Sequence, residues 1–476
     1  DAWPAPNLDY ASTRNASRTR IGAATIHSLR PAWRYPLDGS GIFGVFASSP
    51  IVTATRVYLQ TLSSAVVALD RRTGKTLWTY GGSDANVGPN GPALGDGIVV
   101  AAGSSRVFAL EAGSGRLRWS RTIARAGFEQ IDMAPLVWHG LVLVSSAPGS
   151  YQHGGKGIVY ALDAQTGAER WRFDTTTSDL WGRPDLNSGG GLWYPPSVDE
   201  QGRLYLGIGN PAPFPGTAAY PNGGSRPGAN LYPDSLVVLD GLTGKLLWYF
   251  QAMPHDLRDY DLQLPPILTT ARIRGVERQL AIVGGKVGAV YALDRRSGKL
   301  LWKREVGLHN SWSRVPAFPQ AALPVEVLPG ILGGIIAPMA LSGGAVYATV
   351  VDLCGRVVAQ REFPNGELPC SFSTGRGRVV ALSVATGKIL WQRKLPALAF
   401  AGATVASDLV LTATYGGRLY AFAKGSGRLV WTLQLPAGTN ALPAVTDDEL
   451  IVGAGTRLHA TDRPAVVAYR LPPAKR

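Results

Sequence analysis

Seven times in this chain a short β-branched run leads into an acidic or small residue, a turn with glycine, and a tryptophan four residues beyond that glycine. The units span residues 66–78, 107–119, 159–171, 236–248, 290–302, 379–391 and 419–431, with turn glycines Gly74, Gly115, Gly167, Gly244, Gly298, Gly387 and Gly427. Such a repeat constrains the fold more than any local propensity, because each unit is one supersecondary element that must bury its apolar face on its neighbours. The turn, of Asp-x-x-Thr-Gly-Lys type, reverses the chain, with glycine taking the positive φ of a tight loop. Each unit is therefore predicted to be a β-hairpin whose Trp ring lies between adjacent sheets and offers its indole N–H to a backbone carbonyl. Two further strands precede each hairpin, as at 97–102 or 141–145. Four strands per repeat of about 40 residues or more describe a propeller blade rather than a helical solenoid.

An eighth unit at 441–471 has strand-like runs but no tryptophan, whereas 31–35 supplies a Trp strand, around Trp33, with no hairpin before it. The simplest account is ring closure, the N-terminal strand completing the C-terminal blade and removing the edges an open array would expose. The expectation is an all-β, single-domain, eight-bladed β-propeller over 1–476. Its approximate blades are 39–80, 88–121, 130–173, 190–250, 262–304, 330–393, 400–433 and 440–471, the last closed by 31–37. The 58 glycines, 34 prolines and 17% charged residues suit a turn-rich chain without long helices, and 45% apolar residues suffice for a large core.

No run of 18 apolar residues occurs, so no helical membrane span is expected. The start at Asp1-Ala2-Trp3-Pro4 reads as a mature, exported chain, periplasmic or secreted, without its signal peptide. The formal charge of +14 is scattered, as at Arg71-Arg72 and Arg295-Arg296, with no nucleic-acid motif beside it. It reads as a solvated surface, compatible with an anionic envelope or an acidic electron acceptor. Cys354 and Cys370 are the two cysteines. In an oxidising compartment they are expected to form a disulfide, the alternative being two separate buried thiols.

Three connections are swollen. The stretch between Trp171 and Trp248 contains 187–196 and 207–233, a second runs from Trp302 to about Pro329, and 351–376 carries both cysteines. Long loops in an otherwise economical repeat are usually functional or disordered. These are rich in Gly, Pro and aromatics, which favours ordered loops shaping one face of the ring.

Taken together, the Trp-ended repeat, Gly189-Gly190-Gly191-Leu192-Trp193, Gly207-Ile208-Gly209-Asn210-Pro211-Ala212-Pro213-Phe214 and Pro254-His255-Asp256-Leu257-Arg258-Asp259-Tyr260-Asp261 resemble the quinoprotein alcohol dehydrogenases. Members of that family are eight-bladed propellers holding pyrroloquinoline quinone (PQQ) on the ring axis beside a metal ion. The resemblance implies Asp259 as the catalytic carboxylate that takes the substrate hydroxyl proton and touches the metal. It implies Asn210 as an amide-oxygen metal ligand next to the cofactor, suited to Ca²⁺ or a lanthanide ion. Trp193 corresponds to the floor on which the quinone stacks, and Lys286 to the cation that polarises the quinone oxygens. Taken singly, each has a plainer reading: Asp259 as a turn cap, Trp193 as a core residue, Lys286 as a surface turn lysine.

The departures bear on the cofactor. The family's adjacent-cysteine lid has no counterpart here, its glutamate metal ligand falls on Gln152, and its charged clamps for the PQQ carboxylates appear as uncharged residues near Ala47 and Asn90. Gln152, Asn210, Asp259 and Asp261 would still sum to a charge of −2, and an extra Asp at 261 resembles the lanthanide-using members. The resemblance thus implies a PQQ- and metal-dependent dehydrogenase of an alcohol or other hydroxylated substrate. No Cys-x-x-Cys-His motif occurs, so electrons are expected to leave to a separate acceptor, a cytochrome or quinone. Two alternatives stay open: a non-catalytic scaffold binding protein or envelope polymer, and a descendant that lost its quinone.

Overall fold

The computed structural model describes residues 2–39, 41, 43–82, 84–86, 88–148 and 153–473. Among them the only α-helical segment is the four-residue Ser178–Trp181, and the chain is otherwise an all-β, propeller-type assembly. Its strands form eight sheets of four or five strands, with two small accessory sheets. The first is typical: Ile51–Val52, Arg56–Gln60, Val66–Asp70 and Thr76–Tyr80 pair in order and antiparallel. Its third strand is buried almost throughout, while the fourth alternates toward solvent.

The repeated turn explains how neighbouring sheets are joined. Asp240 accepts the Thr243 N–H at 2.8 Å and its hydroxyl at 2.7 Å, and Gly244 N–H closes the turn on Asp240 O at 2.8 Å. Gly244 has φ 69° and faces the ring of Trp171 from the preceding sheet; a Cβ there would come 2.6 Å from Trp171 Cδ2. The glycine is thus required both by the turn and by the docked tryptophan. The Trp171 indole N–H donates to Gly241 O at 3.1 Å, and Trp33, Trp78, Trp119, Trp248, Trp302 and Trp391 each donate to the corresponding turn region of the following sheet. A register shift recurs one residue from the tryptophan's partner in each hairpin, as between Val238 and Leu239 opposite Trp248. Such bulges twist the strand locally.

The strand Arg30–Pro36 pairs with Ala465–Arg470, placing Trp33 opposite Ala468. It thereby supplies the missing tryptophan to the C-terminal sheet, whose core is shared with the first sheet and with the sheet carrying Trp431. The preceding residues cross the inner strands of successive sheets. Trp3 pairs with Val52; Tyr10 O accepts from Val198, Ala11 O from Leu268, Thr13 O from Leu341 and Arg14 O from Val405; and Arg20 N–H reaches Asp447 O. Arg14, fully buried, anchors this strap by donating to Pro6 O, Ala403 O, Thr404 Oγ1 and Pro443 O, and it lies 5.0 Å from the Trp3 ring centroid. Burial lowers its pKa to about 9.

The swollen connections are ordered. In 351–376 the cysteines are joined as a disulfide, Cα–Cα 5.3 Å, so the alternative of separate thiols is excluded. Gly355–Val357 and Glu367–Pro369 pair just inside it, and Val325–Val327 of the preceding insertion adds a third strand. Phe363 stacks on Phe214, centroids 5.9 Å apart, and so brings this hairpin over the Pro211–Phe214 loop.

Candidate active site

Three loops from consecutive sheets converge at one point. The first is the glycine run. Gly190 and Gly191 have φ 78° and 86°, and Cβ atoms there would come 2.1 Å from Thr175 Oγ1 and 2.4 Å from Ser146 O. Only glycine allows this close passage. The run pairs with the next loop, Gly190 N–H to Asn210 O at 3.1 Å and Gly209 N–H to Gly191 O at 3.0 Å, and the half-buried Trp193 lies against Gly209, where a Cβ would come 3.1 Å from its Nε1.

The second loop carries the acids. Asp256 caps it, accepting Arg258 N–H at 2.9 Å and Tyr260 N–H at 2.7 Å. Asp259 lies between those two residues with φ 58°, a left-handed conformation that costs a non-glycine residue about 1–2 kcal/mol and signals function when the surroundings enforce it. Tyr260 Oη donates to Pro329 O at 2.7 Å. Arg258 donates to Trp312 O and Val315 O and packs on Phe318, which ties the loop to the 302–329 insertion.

The third loop brings Lys286, whose N–H bonds Asp261 O at 3.0 Å. Its Nζ bridges the two aspartates, 2.8 Å from Asp259 Oδ2 and 2.6 Å from Asp261 Oδ2, and stands 5.2 Å from the Trp193 ring centroid. Asp261 Oδ1 accepts Asn210 N–H at 2.6 Å. Asn210 Nδ2 donates to Pro211 O at 3.2 Å, leaving the carbonyl oxygen as the acceptor end of the amide. Glycine again permits the approach: a Cβ at Gly285 would lie 2.0 Å from Asp261 O.

The electrostatics are those of a dry, crowded site. Burial pushes the Asp259 carboxyl well above the usual range against the pull of Lys286, and Asp261 adds to the rise. Burial alone would lower the Lys286 pKa, but the two aspartates outweigh it and raise it. Asp259 Oδ1 is buried and unpartnered. Two carboxylates, one of them with an unpartnered oxygen, and an amide oxygen form a donor set suited to a hard, oxygen-seeking cation. Trp193 and Lys286 offer a flat face edged by positive charge, which suits a planar anionic ring. The residues present therefore fit the metal and the quinone that the sequence motifs imply.

Asn210, Asp259, Asp261, Trp193 and Lys286 are thus brought together as the motifs anticipate. Gln152 lies outside the described residues. His255 is turned elsewhere: its ring nitrogens face Asn222 O and Gly228 O at 3.0 and 3.2 Å, bracing the 216–228 loop. Asn90 is buried and donates to Thr61 O at 2.9 Å. Sequence reasoning missed the capping role of Asp256, for which Asp-x-Arg-Asp was a faint turn signal. It also missed the buried acids Asp234 and Glu367 and the buried Arg226, which no motif marks.

Two family profiles match the chain. The one described as "Glucose/ethanol/alcohol dehydrogenase, beta-propeller domain" matches residues 121–306, the stretch holding all five converging residues. The one described as "Outer membrane protein assembly factor BamB" matches 16–153 and 364–467. Quinohemoprotein alcohol dehydrogenase of Comamonas testosteroni is 30% identical over 372 residues, 70% of this chain and 51% of the relative. The chain spans about half the length of the curated relatives it matches. Its fold is shared with the crystal structure of that Comamonas enzyme, at a TM-score of 0.85 and 23% identity over 100% of this chain and 81% of the other. It is shared equally with a europium-containing methanol dehydrogenase, TM-score 0.82 and 20% identity over 99% and 98% of the two chains. With the enzyme profile lying on the residues that build the site, the chain is similar to the quinoprotein (PQQ-dependent) alcohol dehydrogenases and shares their propeller-type fold.

Proposed function

We propose that this chain is one eight-bladed propeller, spanning 1–476 and closed by its N-terminal strand, that works outside the cytoplasm as a PQQ- and cation-dependent dehydrogenase of an alcohol or other hydroxylated substrate. The observation that carries the reading is the convergence of Asp259, Asp261 and Lys286 beside Asn210 and over Trp193. Bound there, PQQ would supply a quinone able to take a hydride from the carbon bearing the hydroxyl. Asp259 takes the hydroxyl proton, its Oδ1 being buried and free of a hydrogen-bond partner. Asn210, Asp259 and Asp261 would hold the cation, Ca²⁺ or a lanthanide, with Gln152 as the fourth member of the set. Lys286 keeps the two aspartates at fixed spacing and places positive charge above Trp193. The disulfide-bridged hairpin packs over the Pro211–Phe214 loop through Phe363 on Phe214. Electrons pass to a separate acceptor, a cytochrome or quinone. The disulfide supports an oxidising compartment, and among the described residues no helix is long and apolar enough to cross a membrane.

The second reading, a scaffold that binds protein or envelope polymer, is favoured by the match of 16–153 and 364–467 to the BamB profile. A scaffold has no use for a buried Asp–Lys–Asp bridge, which is why the enzyme reading is preferred. Titrating the purified protein with PQQ plus Ca²⁺ or La³⁺, followed by quinone absorbance and Trp fluorescence, decides between them. Stoichiometric, metal-dependent binding that Asp259→Ala abolishes is the expected result. No binding with either ion leaves the scaffold or a descendant that lost its quinone.

A further inference from the structure

Five buried carboxylates gather at this site: Asp234, Asp256, Asp259, Asp261 and Glu367. Three cations are buried with them, but two are committed to neutral acceptors. Arg226 donates to Pro213 O, Asp256 O and Asn230 Oδ1, and Arg258 to Trp312 O and Val315 O. Asp256 is satisfied by backbone N–H groups, and Asp259 and Asp261 share Lys286. Asp234 and Glu367 remain, and neither carboxylate has a hydrogen-bond partner on either oxygen.

Glu367 is the more telling of the two, because it reaches the site from a distant part of the sequence. It stands opposite Val357 in the small sheet, at a fully buried position where an apolar residue would cost nothing. Its Oε1 lies over Gly355, where a Cβ would approach to 2.4 Å. The hairpin carrying it is fixed against the acid loops: the disulfide closes its base, Phe363 rests on Phe214, and Gly330 N–H bonds Leu353 O while neighbouring Pro329 O receives the Tyr260 hydroxyl. Burial raises the Glu367 carboxyl, with Asp259 and Asp256 adding to the rise and Arg258 and Lys286 opposing it. The carboxylate oxygens of Asp259, Asp261 and Glu367 do not all fall within 4.8 Å of one another, so Glu367 stands outside a tight ligand triad.

We infer that Glu367 is the outer carboxylate of the cation site, a group without a hydrogen-bond partner whose charge, released when the cation binds, favours a trivalent over a divalent ion. This rests on the cation-site reading above. The physical basis is Coulombic: at fixed distance in a dry interior, one carboxylate attracts a 3+ ion half again as strongly as a 2+ ion, a difference worth roughly tenfold in selectivity.

The test is Tb³⁺ binding to the full chain, read by luminescence sensitised through tryptophan, with Ca²⁺ as competitor. Glu367→Gln keeps the shape and removes the charge. It is expected to weaken the binding of both ions, Tb³⁺ more than Ca²⁺, and so to lower the Tb³⁺/Ca²⁺ affinity ratio about tenfold. Its apo thermal midpoint should hold or rise, because no hydrogen bond is lost. If Glu367→Gln does not fold, Glu367→Met carries the same measurement. An unchanged ratio, in a protein whose Tb³⁺ signal Asp261→Asn abolishes, overturns the role of Glu367 alone. Absence of any Tb³⁺ signal sensitive to Asp261→Asn overturns the cation site and this inference with it.

Discussion

Asp240 at an outer turn and Asp259 at an inner loop belong to consecutive sheets, yet their surroundings are opposite. The Asp240 carboxylate is met by the Thr243 hydroxyl, the Thr243 N–H and the Leu242 N–H, and these bonds hold its pKa below the usual range. Asp163 and Asp294 repeat the arrangement. At the inner loops Asp259, Asp234 and Glu367 are buried, carry orphaned oxygens and have raised pKa values. The rim acids build the hairpin, and the fold would weaken without them. The inner acids oppose folding and are retained, which is the mark of a site that a bound cation or substrate completes.

The largest test of this contrast is the dependence of stability on pH. Asp132 is another buried inner acid, pushed by desolvation to about 7, with Gln130 Nε2 at 3.1 Å as its donor. The folded chain holds a proton there that the unfolded chain releases near pH 4. Stability must therefore fall as pH rises from 4 to 7, by about 1.4 kcal/mol per unit for this group. Asp132→Asn should flatten that part of the slope in urea midpoints taken across the range, and an unaltered slope would show that the inner acids are not stabilised as proton carriers. The rim acids carry the reverse sign. Asp163, held at about 2 chiefly by Arg170 and Thr166, stabilises the fold above pH 4 and loses that contribution as pH falls through 2.

The disulfide sharpens the comparison next. Replacing Cys354 and Cys370 by alanine opens a loop of sequence separation 16 and should cost about 3 kcal/mol on the chain-entropy account. Because the hairpin carries Glu367, Tb³⁺ affinity should fall in the same variant; a stability loss with unchanged affinity would detach the hairpin from the site. The smallest effect belongs to the rim. Asp240→Ala removes the turn bonds of one sheet at a cost of about 1 kcal/mol, with cation binding unchanged. A change in binding there would blur the division between rim and axis.

Much of the fold was legible because its determinants are local and repeated. The four-residue spacing from turn glycine to tryptophan encodes both a hairpin and the ring that packs on the next turn, so Gly244 and Trp171 are readable in sequence although they lie on different sheets. The orphan Trp33 strand and the unpaired C-terminal unit pointed to each other for the same reason. The convergence of Trp193, Asn210, Asp259, Asp261 and Lys286 was legible because motifs carry those residues. His255, in the same motif as the acids, faces Asn222 O and Gly228 O instead, because adjacency in a loop does not fix the direction of a side chain.

By itself the sequence determined the repeat, the all-β architecture and the principal motifs, since each is written in short-range spacing. Tertiary structure alone decided which acids lose their water and their partners. It placed Arg14 under the inner strands, left Asp234 bare and carried Glu367 across from a disulfide-bridged insertion. The reason is that desolvation is a property of packing between distant segments: an aspartate at a turn and an aspartate in a dry pocket are the same letter until the chain has closed around one of them.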